Sequence, residues 1–222
     1  MSSTKTRYSA FFKLLPECRL EVYEKVLAVP HPLYLFQEPG GRVETFAPEK
    51  PTRWLAILHT NRAIYHEARP VLYSTNNFHL VDITEQQSSL LRSFISGIGP
   101  LNAASLSRIC VNFPVTERVD KQPGYVKLRD DSLQSLQLLQ YQCKRLSTLE
   151  MIVHTQNSSA FRETDEFILE TFRLIDEHFK AMTSLKRIVV RIVLQDGVPT
   201  ASARNSMEML GWEVMPSNGG LR

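Results

Sequence analysis

Histidines and paired acidic residues are the side chains in this sequence that could carry out chemistry, but their spacing favours structural roles. His59 and His66 would lie near one face of a helix, yet neither an HExxH pattern nor a third ligand accompanies them. The pairs 130–131 and 165–166 each stand at the start of a predicted helix, where carboxylates stabilise the positive end of the helix dipole. We therefore predict no catalytic residues and no metal site.

The cysteines give no sign of a disulfide framework or of a reactive thiol. Cys18, Cys110 and Cys143 are an odd number, lie far apart and form no CxxC pair. Cys18 and Cys143 fall on apolar faces of predicted helices and Cys110 lies in a predicted strand, so each is expected to be an inert core residue. The sequence also contains no GxxxxGK[ST] loop and no GxSxG elbow. We expect no cofactor and no enzymatic activity; an enzyme whose groups converge from distant positions is the weaker alternative.

Composition is that of a globular protein. The chain has 222 residues, of which 43% are hydrophobic and 22% charged, and its net charge is +3. Basic residues gather near two predicted strands, at 144–145 and at Lys186, Arg187 and Arg191, and a solvated charged face is favoured there over nucleic-acid binding. No apolar run reaches the length needed to cross a bilayer, so we expect no membrane partner.

The sequence pattern of the first half of the chain predicts helices interrupted by a β-hairpin. Pro16 fits the first turn of a helix, and Val22, Tyr23, Val26 and Leu27 then recur at helical spacing. A turn cluster at 38–41 separates two apolar stretches and predicts a β-hairpin over 33–46. We predict a second helix from about residue 52 that ends or kinks near residue 68 because of the proline at 70. A strand over 78–81 and a helix over 90–98 follow.

The second half repeats a pattern of a helix, a tight turn and a β-rich segment. The β-rich segments begin at Leu106, Leu149 and Leu185. Ile168, Phe172, Ile175 and Phe179 mark the apolar face of one intervening helix. Such alternation predicts parallel strands joined by helical crossovers. The fold class expected is therefore α/β, with mixed α+β character near the N-terminus and a short, irregular stack like that of leucine-rich repeats.

Domain organisation follows from these patterns. We predict tails at 1–13 and 217–222, a helical segment with the hairpin at 14–80 and an α/β repeat region at 81–216, with one continuous domain as the alternative. The N-terminal segment is basic and has no acidic residue, so it is either a frayed tail or a presequence. The apolar region of a secretory signal peptide is missing. We expect the protein in the cytoplasm, the nucleus or both.

Two stretches resemble a known family. The run Leu14-Leu15-Pro16-Glu17-Cys18-Arg19, with Val22, Tyr23, Val26 and Leu27, resembles the opening helix of an F-box. The run 55–70 resembles a later F-box helix, and its continuation through 71–78, together with 94–113, is similar to a large family of F-box-like proteins of filamentous fungi. The match covers about the first half of the chain, and 61–78 is its most specific part.

The resemblance implies a non-catalytic adaptor. F-box helices dock on the Skp-type subunit of a cullin–RING ubiquitin ligase, and the repeats that follow hold a substrate protein. Carried over by position, the docking residues would be Leu15, Pro16, Val22, Tyr23, Val26 and Leu27, supported by Leu55 and Leu58. This sequence departs from the usual F-box pattern at two points. A hairpin lies between the helices, and Asn61 occupies a position where a cysteine is common. The alternative is a stand-alone scaffold or interaction protein in which the F-box-like helices are only structural.

Overall fold

The fold was analysed in a computed structural model, which describes residues 10–38, 40–81, 87–119, 125–154, 161, 163–193 and 201–216. The mixed α/β class predicted from the sequence is confirmed. Most of both predicted tails lies outside the described residues, but Ala10–Lys13 form a 3-10 helix where a tail was expected. Within the described ranges, no helix combines the length and the apolar character needed to span a membrane.

Helices and strands alternate along most of the described chain. The helices are α1 (Pro16–Leu27), α2 (Arg62–Thr75), α3 (Gln87–Ile98), α4 (Pro100–Ser105), α5 (Asp130–Gln142), α6 (Asp165–Lys180) and α7 (Ala201–Met209). The strands are β1 (Leu33–Gln37), β2 (Val43–Phe46), β3 (Phe78–Leu80), β4 (Arg108–Asn112), β5 (Thr116–Arg118), β6 (Val126–Leu128), β7 (Thr148–His154), β8 (Arg187–Val193) and β9 (Glu213–Pro216). A second short 3-10 helix covers Ala56–His59.

A seven-stranded sheet organises the fold, with strand order β2-β1-β3-β4-β7-β8-β9. Only β2 is antiparallel to its neighbour, and it forms the predicted hairpin with β1. The other strands are parallel and lie side by side in the order in which they occur in the chain. Parallel pairing of the three repeat strands is thus confirmed, and one sheet joins strands from both segments predicted on either side of residue 80.

One face of the sheet packs against helices to form the main core. Successive strand side chains point to opposite faces, so alternate residues share an environment. On β7, Leu149, Met151 and Val153 are fully buried in this core. From α6, Ile168 and Phe172 pack into the same cluster, together with residues of α3, α5 and α7. The apolar stripe predicted for α6 is confirmed as a core stripe.

A smaller, N-terminal core joins α1 to α2. It consists of Tyr23, Leu27, Leu58, Ile64, Ala68, Val71 and Leu72. Asn76 closes this unit at the end of α2, because its carboxamide bonds both helices: Nδ2 donates to the carbonyls of Leu27 (2.9 Å) and Leu72 (2.8 Å). Its Oδ1 accepts from the backbone N–H of Val29 at 2.9 Å, so every polar group of this buried side chain is satisfied.

The second helix starts later than predicted and continues past Pro70. Asn61 caps α2 by accepting a hydrogen bond from the N–H of Ile64 at 2.9 Å, which starts the helix about ten residues later than expected. Pro70 lies inside α2 and does not end it. The hydrogen bond that proline lacks would run to the carbonyl of His66, an exposed residue, where water can replace it.

Two other connections hold more structure than the sequence indicated. The charged residues of the segment 114–129 and its proline–glycine pair at 123–124 predict a flexible loop, but the segment contains the antiparallel strands β5 and β6 on either side of residues that are not described. The helix predicted over 90–98 ends as expected, since Gly99 follows α3 with φ +80°. Pro100 then immediately begins a further helix, α4.

Candidate docking surface and the polar face of the sheet

Helix α1 carries two apolar stripes with different environments. The inner stripe, Tyr23 and Leu27, is 1% and 0% exposed and packs in the N-terminal core. The second stripe, which we call the outer stripe, consists of Leu15, the residue immediately before α1, and of Cys18, Val22 and Val26 at helical spacing within it. Leu15 is 67% exposed, Val26 is 40% exposed and Cys18 is exposed, whereas Val22 is half-buried. None of these four side chains belongs to either core of the described residues.

Polar contacts fix the orientation of α1 against α2. Arg19 donates to both carboxylate oxygens of Glu67, from Nε at 2.9 Å and from Nη2 at 2.8 Å. Tyr23 Oη donates to Glu67 Oε2 at 2.9 Å. The bonds from Arg19 hold the pKa of Glu67 below its ordinary value, while burial and the neighbouring carboxylate raise the pKa of Tyr23 to about 12. The network determines which face of α1 remains outward.

The predicted docking residues therefore divide into two groups. Leu15, Pro16 and Val26 are exposed and Val22 is half-buried, so a partner can contact them on the folded chain. Tyr23, Leu27 and Leu58 are instead core residues, because α2 covers the inner stripe of α1. Leu55 is half-buried against the same core. Docking through Tyr23, Leu27 and Leu58 would require α1 and α2 to separate.

The second face of the sheet, which we call the polar face, presents a row of side chains that sequence reasoning did not assemble. His79 on β3 lies beside Cys110 on β4, and Cys110 lies beside Glu150 on β7. One nitrogen, sulfur or oxygen atom from each of these three residues lies within 4.8 Å of those of the other two. The nearest signal in the sequence was the alternation in each strand, which places all three residues opposite the core positions.

The row of His79, Cys110 and Glu150 is mostly buried, and a neighbouring arginine compensates the charge of its carboxylate. Cys110 is 0% exposed and Glu150 is 7% exposed. Arg191, one strand further along, donates to Glu150 Oε1 and neutralises its charge. Burial lowers the pKa of His79 and raises that of Cys110 well above its ordinary value, so the imidazole is neutral and the thiol is protonated near neutral pH.

Other chemistry-bearing residues are dispersed. Of the histidines considered as a metal pair, His59 and His66 are both exposed. Cys143 is buried as predicted, but Cys18 is exposed on α1, contrary to the expectation of an inert core residue, because it belongs to the outer stripe. Asp131 and Asp165 lie in the first turns of α5 and α6, as predicted.

A cleft of about 770 Å³ lies between the hairpin, α2 and α3. Trp54, Tyr73, Phe78 and Phe94 supply much of its apolar lining. Its charged lining residues are Arg42 and Lys50, and the described lining contains no carboxylate, histidine or cysteine.

Comparison with protein-family models, with curated proteins and with solved structures finds no match to this chain.

Proposed function

We propose that this chain is a non-catalytic protein-interaction module that docks a partner through the outer stripe of α1. The observation that carries the proposal is the contrast between the two stripes: the inner one is covered by α2, whereas Leu15 and Val26 remain in water. Each large apolar side chain left in water forgoes about 1.5–3 kcal/mol of burial free energy, so a stripe of them favours a partner.

The partner that the sequence resemblance indicates is the Skp-type subunit of a cullin–RING ubiquitin ligase. Leu15, Pro16, Val22 and Val26 are the positions of the F-box-like motif that remain accessible to it. The rest of the chain would then act as the substrate-holding part of an adaptor. Sequential parallel strands with helices packed on one face support the likeness of this part to a short, irregular leucine-rich-repeat stack. Such an adaptor would work in the cytoplasm or the nucleus.

A stand-alone scaffold is the second candidate, and the burial of Tyr23 and Leu27 favours it. Both residues are committed to the N-terminal core, as expected if the F-box-like helices have become purely structural. The two candidates therefore differ in whether the outer stripe binds a Skp-type subunit.

Binding of the purified full chain to a purified Skp-type subunit tests the proposal, measured by calorimetry and by co-elution in size-exclusion chromatography. We expect binding at micromolar concentrations or tighter. Leu15→Asp and Val26→Asp should each weaken it about tenfold or more, because they place a charge in an apolar contact. Both positions are exposed, so the thermal midpoint should stay near that of the wild type.

Leu101→Asp is the matched control, because Leu101 is 79% exposed and lies on α4, outside the outer stripe. It should bind as the wild type does. No binding by the wild type, or equal binding by the outer-stripe variants, would overturn the adaptor proposal, and the former result would favour the scaffold.

A further inference from the structure

We propose that His79, Cys110 and Glu150 form a binding site for a single zinc-like divalent ion on the polar face of the sheet. The geometry is set by strand register, since the three residues occupy paired positions on three adjacent parallel strands. Their candidate ligand atoms all lie within 4.8 Å of one another, so small side-chain adjustments bring them around one ion.

The ligand set selects the kind of ion. An imidazole nitrogen, a thiolate sulfur and a carboxylate oxygen are the three ligand types that zinc accepts, usually in a tetrahedral arrangement. Magnesium and calcium prefer oxygen ligands alone, so a thiol and an imidazole in the same row argue against them. Three protein ligands leave the fourth tetrahedral position to water or another small ligand.

Neighbouring residues are placed to orient two of the ligands. Arg191 holds Oε1 of Glu150, which leaves Oε2 for a second partner. Asn77 Nδ2 lies 2.9 Å from Nε2 of His79, and Asn77 Oδ1 is buried without a hydrogen-bond partner. A metal-bound histidine donates from its other ring nitrogen to a nearby oxygen, and rotation of the Asn77 amide would supply that oxygen and satisfy the orphaned atom.

One ligand of the row faces a cavity. A cavity of about 220 Å³ is lined by Glu150 together with Asn77, Arg108, Arg187 and Arg191, whereas His79 and Cys110 are not part of its lining. An ion that enters through this cavity would meet the Glu150 carboxylate first and lose its waters as it meets the other ligands.

The protons and charges of the binding step balance. The ion meets the imidazole of His79, the carboxylate of Glu150 that Arg191 also holds, and the buried thiol of Cys110. Binding forms a sulfur–metal bond and breaks the S–H bond of Cys110, and the proton passes to solvent. Without metal, Arg191 pairs with the Glu150 carboxylate.

Titration of the chelator-treated full chain with cobalt(II) tests the site, because a thiolate bound to cobalt gives an intense charge-transfer absorption. We expect one equivalent of cobalt to produce this band and one equivalent of zinc to remove it. Cys110→Ser should abolish the band. Cys143→Ser and Cys18→Ser are matched controls, one buried and one exposed, and both should retain it.

Two further variants keep the test decisive if Cys110→Ser does not fold. His79→Gln should lower the cobalt affinity about tenfold or more, and Asn77→Ala should lower it about tenfold through loss of ligand orientation. Zinc should also raise the thermal midpoint of the wild type, and less so that of His79→Gln. Absence of the band in the wild type, or a band that disappears in Cys18→Ser or Cys143→Ser instead, would overturn the proposal.

Discussion

Tyr23 on α1 donates a hydrogen bond from its hydroxyl to Glu67 Oε2 on α2 at 2.9 Å, although the two residues lie far apart in sequence. The bond places the polar end of an otherwise buried aromatic side chain against a carboxylate that Arg19 also holds. This contact places the inner stripe of α1 in the N-terminal core and leaves the outer stripe facing solvent.

Alkaline pH should weaken the fold through Tyr23. Its pKa is about 12 in the folded chain and near the ordinary 10 when unfolded, so between these values the folded state holds the proton more tightly. The stabilisation is therefore complete below pH 10 and is lost as the pH rises toward 12. Denaturant unfolding of the wild type and of Tyr23→Phe across this range should show a steeper loss for the wild type. Parallel curves would contradict the pKa shift.

Replacing Asn76 should destabilise the junction of α1 and α2. Asn76→Ala leaves the carbonyls of Leu27 and Leu72 and the N–H of Val29 without their partner, which should cost about 2–4 kcal/mol in free energy of unfolding. Urea denaturation measures the change. Asn205→Ala, at an exposed position of α7, is the matched control and should change stability by less than about 0.5 kcal/mol. A similarly small effect at Asn76 would show that these bonds contribute little.

Thiol reactivity should distinguish the cysteines. Cys18 is exposed, whereas Cys110 and Cys143 are buried and burial raises the pKa of each, to about 12 for Cys143. A colorimetric disulfide reagent should therefore label one thiol of the native chain rapidly and the other two only after denaturation. Cys18→Ser should remove the rapid phase. Rapid labelling of all three thiols would mean that the surroundings of Cys110 in the sheet and of Cys143 in the main core open readily in solution.

Truncation of Phe172 should remove a central part of the main core. Its ring is fully buried and lies 5.6 Å from the Trp212 ring and 5.4 Å from the Phe161 ring, measured between centroids. Phe172→Ala should cost about 3–5 kcal/mol in free energy of unfolding, measured by urea denaturation. The exposed substitution Leu101→Ala should cost less than about 0.5 kcal/mol. Comparable losses in the two variants would place α6 outside the core.

Local patterns account for the parts of the fold that the sequence predicted well. The β-rich composition of β4 and β7 and the apolar stripe through Ile168 and Ile175 are properties of single elements, and each element was found where expected. The end of α2 was not predictable in this way. Whether Pro70 stops a helix depends on what surrounds its missing hydrogen bond, and that environment is tertiary.

In the candidate sites, too, local patterns were predictable and tertiary packing was not. The sequence located the apolar residues of α1 but could not tell Val26 from Leu27, because the exposure of each depends on where α2 packs. The row of His79, Cys110 and Glu150 depends on register between strands that are distant in sequence. Register is set by the whole sheet, so no spacing in the chain indicated that these three residues would meet.

The sequential order of the parallel strands also bears on how the chain is made. As β4, β7, β8 and β9 leave the ribosome in turn, each finds its neighbouring strand already synthesised, and no strand must wait for a later one to be inserted between them. The nascent protein can therefore extend its sheet one strand at a time from a single growing edge, while β2 forms the opposite edge from the start.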